Sequence, residues 1–309
     1  MHVLVTGGCG YIGSVLVPLL RDDDRVDRVT VLDDFSASSP RALFGQLGDD
    51  TVRFRRGDVR QYGDVESAAR GADAVVHLAA ITGAASTHDR REETFETNYE
   101  GTRNVLNAAG KVGVDNVVLA SSCNIYGRAP TTDIDESVEP DPINPYAETK
   151  YESESLLREA REEFGFDGVA LRMATNYGNA PGVRFNLVVN HFVFRALTGR
   201  ALTVYGDGSN WRPFVHVRDA ARAYKHAALA PDDWDREVYN VGSNDGNYRV
   251  AEIAEVVSEE VAPVDVTYLE DEHPGPSYHV NFDRLARTGF GTEWTLREGV
   301  RDLRDAFRG

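Results

Sequence analysis

Short runs of apolar, mostly β-branched residues alternate with longer stretches of helical periodicity through the first half of the chain. The apolar runs predict strands at 2–6, 28–33, 52–58, 73–79, 116–122 and 168–174. The stretches between them predict helices at 11–20, 62–70, 94–112 and 146–164. Strands that are apolar on both faces need helices on both sides, so the alternation predicts an α/β fold with a doubly wound parallel sheet.

After about residue 175 the pattern changes, because glycine and proline become denser and the elements shorter. We interpret this change as a domain boundary. Residues 1–174 are expected to form the first domain, to which a segment near 213–243 returns. Residues 175–309 are expected to form a smaller C-terminal α/β domain, the substrate-binding domain, over the carboxyl edge of the sheet, where ligands bind in such folds.

Composition narrows the class of protein. The 309 residues are 41% hydrophobic, which excludes a disordered acidic chain, and the net charge of −17 argues against a nucleic-acid partner. Cys9 and Cys123 cannot build a disulfide framework, and the spacing of Cys and His predicts no metal site. The apolar runs are too short for a membrane span and no signal peptide is evident, so we expect a soluble, cytoplasmic protein.

A glycine-rich loop follows the first predicted strand and opens a helix at Tyr11 and Ile12. Gly7, Gly10 and Gly13 permit a tight turn and close approach of the backbone, so a pyrophosphate can bind at the helix N-terminus. A plain glycine-rich turn is the alternative for this motif taken alone. The loop and its position make the predicted sheet Rossmann-type.

Acidic residues end the next two predicted strands. Asp33 lies twenty residues after Gly13, where a carboxylate can hydrogen-bond the adenosine ribose of a dinucleotide. The neighbouring Asp34 disfavours a 2′-phosphate, so the expected cofactor is NAD rather than NADP. Asp58 is a candidate contact for adenine, and a loop cap is an equally good interpretation.

Tyr146 and Lys150 are four residues apart at the start of a predicted helix and therefore share one face. A tyrosine titrates near pH ~10, and a fixed ammonium together with an oxidised nicotinamide would favour its phenolate. Ser122 ends the fifth predicted strand, where its hydroxyl can bond the substrate oxygen that the tyrosine deprotonates. A surface Tyr–Lys pair and a serine-rich turn are the alternatives.

These residues belong to an ordered series of motifs: Thr6 to Gly13, His77 to Ala80, Asn98 with Gly101 and Thr102, Ser121 to Gly127, Tyr146 to Lys150, Arg172 to Gly178 and Arg212 to Asp219. In this series the chain resembles the extended short-chain dehydrogenase/reductases, particularly the NAD-dependent nucleotide-sugar epimerases and dehydratases, along nearly its whole length. The resemblance implies Tyr146 as catalytic base, Lys150 as ligand of the nicotinamide ribose that also lowers the tyrosine pKa, and Ser122 as the catalytic hydroxyl.

The resemblance implies further contacts. For the cofactor these are Val59, Leu78, Ala79, Ala80 and Asn98, with helix capping as the alternative for Asn98. For a nucleotide-sugar substrate they are Ser122, Cys123, Asn124, Tyr146, Asn176, Asn186, Leu187, Arg212 and His273. Loop caps, core packing and a surface ion pair are the alternatives for Asn176, Asn186, Leu187 and Arg212. His273 stands where the family usually has an arginine, and a loop histidine without a ligand is the alternative; Pro213 is a second departure from the family pattern.

The residues after Ser122 bear on the reaction. Dehydratases of the family carry Asp-Glu there as acid and base, whereas this chain has Cys123 and Asn124. We therefore predict a UDP-sugar 4-epimerase, acting on glucose and galactose forms or their N-acetyl derivatives. A 4,6- or 5,6-dehydratase, a 4-keto-sugar reductase and a non-catalytic NAD-binding sensor are the alternatives. Cys123 is either a proton donor or a small buried filler, and Val280 is a candidate gate beside the C2 substituent.

The resemblance also implies an assembly. Family members pair through the helices that correspond to 94–112 and 146–164, which gives a four-helix interface between two copies. A homodimer is therefore expected for this chain.

Salt dependence follows from the charge. The chain has 50 acidic and 33 basic residues, and its only lysines are Lys111, Lys150 and Lys225, a composition that suits concentrated salt in a halophilic cytoplasm. We expect the protein to unfold as salt is removed, because the Debye length grows from about 3 Å at 1 M to about 30 Å at 0.01 M and carboxylate repulsion is then unscreened. Circular dichroism across a KCl series measures this effect. Salt-indifferent stability would contradict it.

Overall fold

The computed structural model describes residues 1–48, 50–83, 85–128, 132–269 and 275–308. Within these residues the strands are β1 (His2–Thr6), β2 (Arg28–Asp33), β3 (Val52–Arg56), β4 (Ala74–His77), β5 (Asn116–Ser122), β6 (Asp167–Met173), β7 (Thr175–Tyr177), β8 (Leu202–Tyr205), β9 (Trp211–His216), β10 (Val238–Val241), β11 (Asn247–Arg249) and β12 (Val266–Leu269). The helices are α1 (Gly13–Arg21), α2 (Tyr62–Ala69), α3 (Arg91–Phe95), α4 (Gly101–Val112), α5 (Pro145–Phe164), α6 (Val188–Leu197), α7 (Val217–Leu229), α8 (Val250–Glu260), α9 (Asp283–Ala286) and α10 (Leu296–Arg308).

The central sheet has seven parallel strands in the order β10-β6-β5-β4-β1-β2-β3. The strand order reverses between β1 and β4, so the carboxyl ends of these two strands diverge into a crevice where such sheets bind ligands. The prediction of a Rossmann-type, doubly wound α/β fold is confirmed. All six predicted strands are present, although β3 and β4 are shorter than expected.

Helices cover both faces of the sheet. Val3 and Val5 of β1 pack into a core shared with α1 and α7, while Leu4 between them packs into a second core with α2, α4 and α5. Alternate residues of one strand therefore point into two different apolar layers. This arrangement explains the uninterrupted apolar strands of the sequence.

The prediction of a single regular helix at 94–112 is wrong, because three helical segments cover these residues. The structure has α3, then a π-helical segment at Glu96–Glu100, then α4. Asn98 lies in this segment, and its side chain hydrogen-bonds both the N–H and the C=O of Ile81, at 2.7 and 2.9 Å. A π-helical turn re-aims side chains relative to a regular helix. Here it turns Asn98 toward the loop after β4.

The later part of the chain builds a second layer beside the sheet edge. β9 lies between β7 and β11, β8 pairs with β12, and α6, α8 and α10 enclose an apolar core. Two later elements lie with the central sheet, since β10 pairs with β6 and α7 packs on α1. The domain division at residue 174 and the homodimer stay predictions. Across the described ranges, no helix has the length and apolarity needed to cross a bilayer.

A buried ion pair and its hydrogen-bond partners connect four elements beneath the sheet edge. Arg172 of β6 and Glu154 of α5 are 5% and 4% exposed, and Nη2 lies 2.7 Å from Oε2. The hydroxyl of Ser121, in β5, donates to the same carboxylate. Arg172 also donates to the hydroxyl of Tyr126, which donates to Asn240 of β10. The network therefore fixes α5 against three neighbouring strands.

Breaking this ion pair should destabilise the fold. Arg172→Met leaves a buried carboxylate without its counter-charge, so we expect a loss of about 3–5 kcal/mol in the free energy of unfolding, measured by urea denaturation. The matched control is Arg158→Met, whose exposed partner is Glu237, for which a loss of about 1 kcal/mol or less is expected. Equal losses for the two variants would contradict the assignment.

Candidate active site

A cleft of about 630 Å³ opens at the carboxyl edge of the central sheet. The residues that line it follow the carboxyl ends of β1 to β6 and continue past β7 to the start of α6. The cleft therefore occupies the crevice that the reversal of strand order creates.

The glycine-rich loop forms one wall of the cleft. Gly7 has a φ of +68°, and its N–H donates to the carbonyl of Leu32 at 2.8 Å. A Cβ at Gly13 would lie 2.6 Å from both the carbonyl oxygen of Gly7 and the Cα of Gly8. Only glycine fits at this position, so the first turn of α1 packs directly against the loop. The start of the helix is thus open to a ligand.

Asp33 braces the glycine-rich loop from the end of β2. Its carboxylate accepts hydrogen bonds from the N–H of Cys9 at 3.0 Å, the hydroxyl of Ser38 at 2.7 Å and the N–H of Phe35 at 2.9 Å. Asp33 and the adjacent Asp34 both line the cleft. Two neighbouring carboxylates repel a further phosphate, which agrees with the expectation of NAD rather than NADP.

Asp58 serves as a turn cap and also lines the cleft. Its Oδ1 accepts from the N–H of Arg60 at 2.9 Å, and its Oδ2 lies 2.6 Å from the guanidinium of the same residue. Burial raises the pKa of this carboxyl, but the bonds from Arg60 outweigh it and leave the pKa below its ordinary value. Both interpretations of Asp58 from the sequence therefore stay open.

The expected cofactor contacts lie together, with one exception. Those that line the cleft are Gly7, Gly10, Tyr11, Ile12, Gly13, Asp33, Asp34, Asp58, Val59, Leu78, Ala79, Ala80, Tyr146 and Lys150. Asn98 lies behind the cleft wall, where it bonds Ile81 and the hydroxyl of Thr149 at 3.2 Å. It therefore joins the loop after β4 to α5, next to Lys150, instead of contacting the cleft.

Ser122, Tyr146 and Lys150 meet at one end of the cleft. The position of α5 follows from its first residues: the side chain of Asn144 accepts the N–H of Ala147 at 2.9 Å, and Pro145 occupies the first turn. This cap starts the helix at a fixed residue. Tyr146 and Lys150 then project from one face, with the ammonium 6.0 Å from the centroid of the tyrosine ring.

At this end of the cleft, burial and neighbouring polar groups act on the pKa of Tyr146 in opposite directions. Burial raises the pKa of Tyr146 above its ordinary value, while a hydrogen bond from Ser122 and the charge of Arg184 lower it. Burial also lowers the pKa of Lys150 to about 8. His77 supports the site as a neutral imidazole, because burial lowers its pKa to about 3, and its two nitrogens bond the hydroxyls of Thr6 and Thr102.

The expected substrate contacts divide into two groups. Those that line the cleft are Ser122, Asn124, Tyr146, Asn176, Asn186 and Leu187. The side chain of Asn144 donates to Oδ1 of Asn124 at 2.9 Å, so the helix cap also orients a cleft residue. His273 lies outside the described residues.

Three other candidates do not reach the cleft. Cys123 is 1% exposed, its Sγ donates to the carbonyl of Arg172 at 3.1 Å, and burial raises the pKa of its thiol. The guanidinium of Arg212 stacks 4.9 Å above the ring of Tyr278, outside the cleft lining. Val280 is buried and pairs with Ile134 in an isolated bridge. Cys123 and Val280 therefore pack as core residues and do not line the cleft.

Several lining residues were not among the candidates from the sequence, and Arg184 and Tyr224 are two of them. Arg184 lies in a loop without a motif, and Tyr224 fits the apolar face of α7, so neither gave a signal. Among the residues that the structure describes, the hydroxyl of Tyr224 and Oδ1 of Asn176 are buried polar atoms without a hydrogen-bond partner. Such atoms in a cleft suit a polar ligand. Together with the glycine-rich loop, these two polar groups fit a dinucleotide.

The fold and the cleft define a Rossmann-type enzyme that binds a dinucleotide. The chain belongs to the NAD dependent epimerase/dehydratase family, whose family model matches residues 3–242. The extended short-chain dehydrogenase/reductase resemblance is thereby confirmed, and the cofactor of the family is NAD.

Individual relatives carry different activities. The low-salt glycan biosynthesis protein Agl12 of Haloferax volcanii is 31% identical over 100% of this chain and 99% of its own length. A UDP-N-acetylglucosamine 4-epimerase of Methanobrevibacter ruminantium, 27% identical, superposes with a TM-score of 0.88 over 99% and 98% of the two chains. The dTDP-glucose 4,6-dehydratase DesIV of Streptomyces venezuelae, solved with NAD and 28% identical, gives 0.87 over 100% and 97%.

The burial of Lys150 should cost stability in a pH-dependent way. Its pKa falls from 10.5 to about 8, so the charged form costs about 3 kcal/mol in the folded state at pH 7. That cost is full below pH 8 and disappears as the pH rises toward 10.5, since the unfolded chain then also loses the proton. Lys150→Met should therefore raise the free energy of unfolding at pH 7, with a smaller gain at pH 9.5.

The matched control is Lys111→Met on α4, whose ammonium is exposed. Urea denaturation of both variants at the two pH values gives the comparison. A Lys150→Met protein that is less stable than the parent at pH 7 would contradict the prediction.

Proposed function

We propose that this protein is an NAD-dependent epimerase that inverts C4 of a nucleotide sugar, with UDP-glucose and UDP-galactose or their N-acetyl forms as substrates. One observation carries the proposal: Ser122, Tyr146 and Lys150 line the same cleft, with the ammonium of Lys150 6.0 Å from the centroid of the Tyr146 ring. A tyrosine in this setting is a general base for a sugar hydroxyl.

Tyr146 takes the proton from the C4 hydroxyl of the sugar, and Ser122 donates a hydrogen bond to the same oxygen. NAD, which the glycine-rich loop, Asp33 and Lys150 would hold, would supply reversible hydride transfer at C4 when bound. Asn124, Asn176 and Asn186 hydrogen-bond the sugar and its diphosphate while the 4-keto sugar turns over in the cleft. Tyr146 then returns its proton to the oxygen at C4, now of opposite configuration. A homodimer joined through α4 and α5 is part of the proposal.

The residues after Ser122 support epimerisation over dehydration. Water elimination needs an acid and a base beside the sugar, and the amide of Asn124 transfers no proton. Cys123 is 1% exposed and bonded to a backbone carbonyl, so its thiol does not face a substrate. With neither group available, the oxidised sugar keeps its C6 hydroxyl until the hydride returns.

Removing the phenol oxygen should abolish the reaction. Tyr146→Phe is expected to reduce the interconversion of UDP-glucose and UDP-galactose by about 10²–10⁴-fold, because the general base is lost, while bound NAD is retained. Chromatography of the two sugars measures turnover, and the absorbance of released cofactor measures retention.

Tyr151→Phe on the same helix is the matched control, since its hydroxyl bonds the exposed Glu139 and stays clear of the cleft. It should retain activity. Loss of water from the substrate, seen by mass spectrometry, would replace the epimerase with a dehydratase. Net consumption of reduced cofactor would replace it with a reductase. Full activity of Tyr146→Phe would overturn the mechanism.

A further inference from the structure

Three guanidinium groups line the cleft, and two of them have acidic partners. Arg60 lies 2.6 Å from Asp58, and Arg90 lies 2.8 Å from Glu93. Within the part of the chain that the structure describes, Arg184 forms no ion pair with an acidic side chain. Its charge interacts instead with the phenols of Tyr11 and Tyr146. One cation of the cleft is therefore available to an anionic ligand.

The backbone of Arg184 is fixed by a buried asparagine. Asn190 is fully buried, and its Nδ2 donates to the carbonyl of Arg184 at 3.0 Å and to the hydroxyl of Tyr11 at 3.2 Å. Its Oδ1 accepts the N–H of Gly178 at 2.9 Å, and Tyr11 donates to the carbonyl of Gly178 at 2.6 Å. These bonds hold the segment 178–184 against the glycine-rich loop.

The same segment touches the loop directly. A Cβ at Gly182 would lie 3.4 Å from the carbonyl carbon and oxygen of Gly10 and 3.5 Å from the N–H of Tyr11. Arg184 follows two residues later and lines the same cleft as the glycine-rich loop and Tyr146. A partly buried guanidinium pays a desolvation cost that an anion repays, and its planar donors match a phosphate or a carboxylate.

We propose that Arg184 is an oxyanion-binding residue of this cleft, whose counter-ion is part of the bound ligand. Two sources can supply the oxyanion. The diphosphate of the dinucleotide binds at the glycine-rich loop beside Tyr11. The C6 carboxylate of an acidic sugar is attached to C5, the ring neighbour of C4, and hence lies near Tyr146. The diphosphate of the sugar is attached across the ring at C1. The first source requires only the cofactor, and the second rests on the proposed function.

The first experiment measures cofactor fragments by calorimetry with the full chain. Arg184→Met should weaken binding of ADP-ribose by about 10- to 100-fold and leave adenosine, which has no phosphate, unchanged. Arg184→Lys should recover part of the loss, because the charge is kept and the bidentate geometry is not. The matched control is Arg70→Met at the C-terminal cap of α2, an exposed residue paired with Glu66, which should bind ADP-ribose normally.

The second experiment measures binding of UDP-glucose and UDP-glucuronate to the NAD-loaded protein. A loss confined to UDP-glucuronate identifies the carboxylate as the counter-ion, and a loss confined to ADP-ribose identifies the dinucleotide diphosphate. Unchanged affinity for all three ligands, in an Arg184→Met protein with parental thermal stability, overturns the proposal. Because binding and not turnover is measured, that result leaves the role of Tyr146 untouched. Failure of epimerisation likewise leaves the ADP-ribose comparison valid.

Discussion

The buried ion pair between Arg172 and Glu154 is the interaction on which the geometry of the cleft depends. It joins β6 to α5, and through the hydroxyl of Ser121 it also holds the end of β5. Ser122 is the next residue of β5, and Tyr146 lies in the first turn of the helix that carries Glu154. Ser122 and Tyr146 therefore come from elements that the ion pair fixes relative to each other. A buried ion pair of this kind contributes geometry more reliably than net stability.

Asparagine side chains provide the finer adjustments around this pair. Asn144 caps α5 and orients Asn124, Asn98 joins the loop after β4 to the same helix, and Asn190 joins the segment 178–184 to the glycine-rich loop. An amide both donates and accepts, so one side chain can satisfy two chain segments that would otherwise leave buried backbone groups unpaired. These asparagine contacts are uncharged, so they do not compete with a ligand for the cations Lys150 and Arg184 of the cleft.

The local sequence pattern predicted much of this structure. The features that it missed depend on contacts between segments that are distant in the sequence. The strands were predictable because burial on both faces leaves few polar residues in them. Gly13 was predictable because it belongs to a glycine-rich loop that directly follows the first strand and opens a helix. The π-helical turn at Asn98 was not, since the periodicity of 94–112 fits one helix. Whether Cys123 points into the cleft depends on the turn after β5, and Arg184 reaches Tyr146 through folding of a segment without a motif.

A protein with a net charge of −17 can bind an anionic ligand because the repulsion from its surface and the attraction in its cleft act over different distances. At about 1 M salt the Debye length is near 3 Å, so carboxylates on the outer surface exert little repulsion in the cleft. Groups withdrawn from water are screened far less, and these include Lys150, Arg184 and the open first turn of α1. Concentrated salt therefore removes the long-range repulsion and leaves the short-range attraction. The acidic surface and the anion-binding site can therefore change independently in evolution, because the repulsion is long-range and the attraction is short-range.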